Sequence, residues 1–187
     1  MKEEKKKALN FHLRNQYGEY HSLDTYQGKY ILLVFIPDIM ELKSRIQVMN
    51  YKYALAQFHA LDTEIIGICG SSMKDIQAEC RNLELNFPIL NDDACEVRNL
   101  YHTRKEKVIC GKKCFINQRS AFLIDKQGII KKVYRQVNVN SHTNSVLEYL
   151  ENKRTKEVWR SLSRRKKEKI MKGIKEKEKG EHQSSLD

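Results

Sequence analysis

The chain has 187 residues, 40% of them hydrophobic and 32% charged, which suits one compact domain of about 150 residues plus extensions. With only two prolines and eight glycines it is not collagen-like or built of proline linkers, and its longest apolar runs fall far short of the roughly 20 residues that span a bilayer. The net charge of +11 is uneven: residues 152–187 carry thirteen Lys/Arg against six Asp/Glu, whereas residues 8–151 carry 18 against 16. The basic character therefore belongs to an appendage. A globular domain over 8–151 and a basic C-terminal extension over 152–187 are expected.

The start, MKEEKKK, is not followed by an apolar stretch, so no secretory signal is expected. That predicts an intracellular protein, cytoplasmic or, in a eukaryote, nuclear. Five cysteines in such a setting favour free thiols over a disulfide framework.

In chain order, residues 8–23 predict a weak opening hairpin that turns at Tyr17-Gly18. Ile31 to Ile36 is an apolar run rich in β-formers, as in a strand buried on both faces, and Pro37 ends it. Ser44 with Gln47 is a capping-box pattern opening a helix to about Phe58, with Ile46, Met49, Tyr53 and Leu55 expected inward. Thr63 to Cys69 predicts a second buried strand. Ser72 and Asp75 then cap a helix whose Ile76, Cys80 and Leu83 share a face. A short strand at Phe87–Leu90 precedes a helix over 91–100 with Val97 and Leu100 inward. Residues 102–117 suggest a loop with a hairpin. Ser120–Asp125 and Ile129–Val137 predict two strands around a Gly128 turn, and a last helix covers 141–150. The pattern predicts an α/β sandwich with a mixed central sheet flanked by helices.

Several of these segments, GKYILLVFIP, EIIGICGSS, FPILNDD and RSAFLIDKQGIIKKVYRQVNV with His142, resemble the peroxiredoxins from about Phe11 to Leu150. Within the AhpC/TSA type they are most similar to the bacterioferritin-comigratory-protein branch. The resemblance implies a thioredoxin-like fold and thioredoxin-dependent reduction of hydroperoxides, with no cofactor. It also implies a Pro-x-x-x-Thr-x-x-Cys motif and a later Arg. Pro37 and Arg119 match. The Thr position holds Glu41, the peroxidatic Cys position Ser44, and the position of a resolving Cys found in some members Met49. A serine hydroxyl has no counterpart to the thiolate and its oxidation to a sulfenic acid, and Glu41 adds negative charge where an anionic nucleophile would form.

The expectation is a non-catalytic or redox-related homologue in which Arg119 and Glu41 pair across a vestigial pocket, or one that keeps a small-anion site there. An enzyme reading requires a relocated thiol, Cys69 or Cys110/Cys114, working with a thioredoxin-type reductant. Cys110 and Cys114, with three residues between them and lysines around them, are also candidates for a redox-responsive disulfide. With His102 and Cys95 they match no compact zinc knuckle, so no metal is expected. In the extension, Val158/Leu162 and Ile170/Ile174 form i,i+4 pairs beside Trp159, predicting a basic helix or a disordered tail. Arg164, Arg165, Lys166 and Lys167 are candidate phosphate-binding residues. Nucleic acid, an acidic protein or an acidic membrane surface would be their partner through residues 152–180.

Overall fold

The computed structural model describes residues 4–164, 166–167 and 170–171. By internal contacts the chain divides into two compact units, one ending at Leu147 and one beginning at Glu148. The elements of the first unit follow from a single five-stranded sheet. β3 (Tyr30–Ile36) lies at its centre, paired in parallel with β4 (Thr63–Cys69) and antiparallel with β8 (Ser120–Ile124). β5 (Ile89–Asn91) extends the sheet beside β4 in parallel, and β9 (Ile130–Arg135) closes the other edge antiparallel to β8. The order is β5-β4-β3-β8-β9, the mixed sheet that the sequence suggests.

β3 reads as a continuous apolar run because both of its faces are covered. Ile31, Leu33 and Phe35 join Ile66, Ile68, Leu90, Phe122 and Ile124 in a core with Phe11, Val97 and Tyr101. Leu32, Val34 and Ile36 point the other way and are also buried. On that second face α1 (Leu42–Ala60) packs against β4. Gly67 keeps the face flat, since a Cβ there would lie 2.5 Å from Ile89 Cδ1 and 3.0 Å from Ile36 Cδ1.

The opening hairpin forms as expected from β1 (Leu13–Arg14) and β2 (Tyr20–His21). The Asn15 side chain accepts from the Tyr17 and Glu19 amides, and Gly18 takes the left-handed conformation (φ +85°). A 3-10 turn, Leu23–Tyr26, leads into β3. α2 (Met73–Asn82) begins at the expected cap, Ser72 Oγ accepting from the Asp75 amide at 3.2 Å. Burial among apolar neighbours pushes the Cys80 thiol up to about 12, as befits a core thiol.

Four expectations need correction. α1 starts at Leu42 with Glu41 at the cap, not at Ser44, because the Ser44 and Gln47 side chains are drawn inward to other partners. Its buried stripe is Ser44, Gln47, Val48, Tyr51, Ala54, Leu55 and Phe58, so Ile46 and Tyr53 are exposed rather than inward. The helix expected over 91–100 is only α3 (Glu96–Leu100), because Asn91 is held in β5 and Cys95 sits at φ +59°. Val97 is inward but Leu100 is exposed. Finally α4 (His142–Ser161) does not stop near Leu150: no glycine or proline interrupts it before Ser161.

A hairpin of β6 (Arg104–Ile109) and β7 (Lys112–Asn117) stands apart as its own two-stranded sheet. Its turn, Cys110-Gly111, has both φ values positive (+49° and +74°), as a type I′ turn requires.

Arg98 fastens the carboxyl ends of the central parallel strands. Its guanidinium is buried and donates to Ile36 O at 2.6 Å and Ile68 O at 3.3 Å. Asp92 orients it from below, its carboxylate accepting the Val97 and Arg98 amides at 3.1 and 3.0 Å. Gly70 leaves room for this cation, because a Cβ there would lie 2.7 Å from Arg98 Cζ. Replacing Gly70 with Ala must displace a buried charge from both carbonyls. The expected cost is about 1–3 kcal/mol, read as a lowered urea midpoint with unchanged m-value.

Candidate functional site

Three segments distant in sequence meet where α1 begins. β3 delivers Pro37, and Asp38 ties the following loop: its Oδ1 accepts from the Met40 amide at 3.0 Å and from Ser71 Oγ at 2.9 Å. The first turns of α1 present Glu41, Ser44 and Gln47. The residue just before β8, Arg119, reaches across to all three.

Arg119 is nearly enclosed. Its Nε donates to Gln47 Oε1 at 3.0 Å, and one terminal nitrogen donates to Ser44 Oγ at 3.0 Å and Glu41 Oε2 at 3.1 Å. Burial lowers the guanidinium pKa, and the Glu41 carboxylate works against that shift. Ser44 is fully buried, while Glu41 is half-exposed at the rim. The arrangement is a cation held by a carboxylate, a hydroxyl and an amide of its own chain.

The contacts run deeper than the sequence suggests. Gln47 Nε2 lies 3.5 Å from the Tyr51 hydroxyl, which shares a 2.8 Å hydrogen bond with His142 Nδ1. The His142 ring stands edge-on to Tyr134 with centroids 4.5 Å apart. Burial holds the imidazole down at about 4, with Lys132 adding to the effect. Tyr51 is the residue that sequence reasoning missed; it reached Gln47 only as a capping partner and His142 only among the segments that carry the resemblance. The signal was present in the period: 44, 47, 51, 54, 55 and 58 trace one helical face, masked because two of its members are polar.

The other candidates lie elsewhere. Cys69 is fully buried at the end of β4, where its thiol donates to Ser71 Oγ at 3.4 Å and so connects to the Asp38 loop, not to Arg119. Cys110 and Cys114 are both exposed, one in the hairpin turn and one on β7 opposite Lys107. Lys112 to Cys114 alone covers about 6.6 Å of strand. Cys110 lies beyond Lys112 in the turn, so the hairpin keeps the two thiols too far apart for the disulfide considered above. Among the described residues no group of three or more His, Cys, Asp or Glu is placed to hold a metal ion, which includes Cys95 and His102. In the second unit Arg164, Lys166 and Lys167 lie in a helical segment, and Arg165 lies outside the described residues. No helix among the described residues is long and apolar enough to cross a membrane.

His142 gives this buried chain a pH signature. Its folded pKa, about 4, lies below the usual 6.5, so the unfolded state binds the proton more readily. Its contribution is complete above pH 6.5 and is lost as the pH falls towards 4. Replacing His142 with Phe should remove this loss. Urea midpoints at pH 7 and pH 4.5 should show the wild type losing more stability than the variant, by up to about 1.4 kcal/mol per pH unit inside that window.

Comparison with known proteins places the whole arrangement. A family model described as the AhpC/TSA family matches residues 5–133. The chain is 32% identical over 144 residues to the peroxiredoxin Bcp of Bacillus subtilis, covering 77% of this chain and 92% of that protein. It is 27% identical over 143 residues to the peroxiredoxin Bcp of Escherichia coli, covering 76% and 92%. Among solved structures, peroxiredoxin Q of Xanthomonas campestris superposes with a TM-score of 0.73 at 23% identity, covering 76% of this chain and 90% of that one. A PrxQ mutant of Xylella fastidiosa gives 0.72 at 25% identity, covering 77% and 89%. With its mixed sheet and flanking helices in the thioredoxin-like arrangement, the chain belongs to the AhpC/TSA family, in its Bcp peroxiredoxin branch.

Proposed function

We propose that this chain is a peroxiredoxin homologue that has given up peroxide reduction at the family site and uses the scaffold for binding. The observation that carries the reading is the occupied guanidinium at the start of α1. Arg119 donates through Nε and one terminal nitrogen to Ser44, Glu41 and Gln47 of the same chain.

In peroxide reduction a thiolate sulfur attacks one peroxide oxygen, the O–O bond breaks, and the sulfur becomes a sulfenic acid as water or an alcohol leaves. A helix N-terminus and an adjacent guanidinium favour the thiolate. Here both supports are in place, but the atom between them is the Ser44 hydroxyl, which stays protonated and cannot be oxidised in this way. Glu41 occupies the guanidinium from the solvent side, so an incoming peroxide would have to displace a carboxylate. Cys69 is a poor substitute nucleophile because it is fully enclosed. The exposed thiols Cys110 and Cys114 stand on the hairpin, away from the guanidinium.

The test is hydroperoxide consumption by the purified chain, with dithiothreitol or a thioredoxin system as reductant. The wild type should show no turnover. Ser44→Cys, and more so Ser44→Cys combined with Glu41→Thr, should consume peroxide above that baseline, because the scaffold retains Pro37 and Arg119. Wild-type turnover abolished by Cys69→Ser, Cys110→Ser or Cys114→Ser would overturn the proposal and make the chain a thioredoxin-type-reductant-dependent peroxidase with a relocated nucleophile.

A further inference from the structure

The two faces of the β6–β7 hairpin are unequal. The register puts Arg104, Glu106 and Val108 with Asn117, Phe115 and Lys113 on one face, and Lys105, Lys107, Lys112, Cys114 and Ile116 on the other. The first face satisfies itself: Lys113 pairs with Glu106 at 2.7 Å, and the Arg104 guanidinium lies 4.9 Å above the Phe115 ring. The second carries three lysines and no carboxylate, and among the described residues Lys105, Lys107 and Lys112 have no ion-pair partner. Lys105 and Lys107 border a groove of about 320 Å³ that Ile116, Asn117, Gln118 and Gln136 also line, together with Glu106, whose carboxylate is already paired with Lys113. Among the described residues each strand has the other as its only sheet neighbour, so each leaves one edge unpaired there.

We propose that this face is a docking surface for an acidic, extended peptide segment of a partner protein, added as a strand along the hairpin. Alternate side chains of a strand recur every two residues, about 6.6 Å apart, which is also the separation of Lys105 and Lys107 along β6. Carboxylates at alternate positions of an added strand therefore fall beside successive lysines, while its backbone takes up unpaired edge groups. Ile116 and the amides of Gln118 and Gln136 offer apolar and hydrogen-bonding contacts to the residues between them. Lysines along an exposed edge also deter a second copy of the same hairpin, since like charges would then face each other. The surface thus excludes itself and admits an acidic strand. Nucleic acid fits less well: the hairpin's one aromatic ring, Phe115, lies on the opposite face under Arg104, so the lysine face has no stacking platform.

The proposal does not depend on the chemistry at Ser44. Its test uses the full chain and a labelled peptide of alternating glutamate and valine. Controls are a peptide of alternating lysine and valine and an oligothymidylate of matching charge. Binding is read by anisotropy, and occupancy of the hairpin by the rate at which Cys114, on the same face, is alkylated. The acidic peptide should bind and slow Cys114 alkylation. Lys105→Glu with Lys107→Glu, both exposed positions, should weaken the affinity about tenfold or more and abolish the protection. Undiminished affinity in that variant, or no protection of Cys114 in the wild type, would overturn the proposal. Equal or better protection by oligothymidylate would overturn it in favour of nucleic acid.

Discussion

The guanidinium of Arg119 is the constraint around which the first unit is arranged. A cation placed in a largely enclosed space must be met by acceptors, because an unpaired buried charge is far more costly than the net gain of any one hydrogen bond. The cap residue Glu41 and two side chains of α1, Ser44 and Gln47, meet it, and they fix how that helix can sit. Ser44 and Gln47 must face inward, so Val48, Tyr51, Leu55 and Phe58 follow them onto the sheet at the helical period. The start of α1 moves back to Leu42 because Ser44 is no longer available as a cap. One polar contact thereby sets the rotation of a 19-residue helix.

A second buried cation does comparable work at the other side of the Pro37 loop. Arg98 binds carbonyls at the carboxyl ends of β3 and β4, those of Ile36 and Ile68. The loops after those strands, with Pro37 to Ile39 on one side and Gly70 to Ser71 on the other, are also joined through Ser71, which accepts the Ile39 amide at 3.1 Å. The entrance to α1 is thus held from two directions, by Arg119 from β8 and by Arg98 from α3. The Arg98 and Ser71 links act through backbone carbonyls and an amide, and so do not involve the side chain at position 44.

Much of this was legible in the sequence, and the reasons differ by element. β3 and β4 announced themselves because strands covered on both faces need uninterrupted apolar runs. Ser72 revealed the start of α2 because its cap partner, Asp75, is local. Pro37, Glu41, Ser44 and Arg119 were found together by family resemblance. What failed was the face of α1. Apolar periodicity selected Ile46 and Tyr53, whereas the helix is oriented by polar residues whose partners lie more than seventy positions away. Arg98 was invisible for the same reason: nothing local distinguishes a buried arginine from a solvated one. The shortness of α3 follows from the left-handed residue Cys95, for which a non-glycine sequence gives no warning.

The register of the hairpin has a chemical consequence for its two exposed thiols. Because the pairing of Lys107 with Cys114 and of Ile109 with Lys112 leaves Cys110 beyond the last rung, neither sulfur can reach the other while the hairpin is intact. A disulfide at either position must then take its second sulfur from another molecule, whether a small thiol or another protein chain. The intact hairpin cannot close one within itself, so any disulfide it carries is a mixed one whose formation depends on what is nearby.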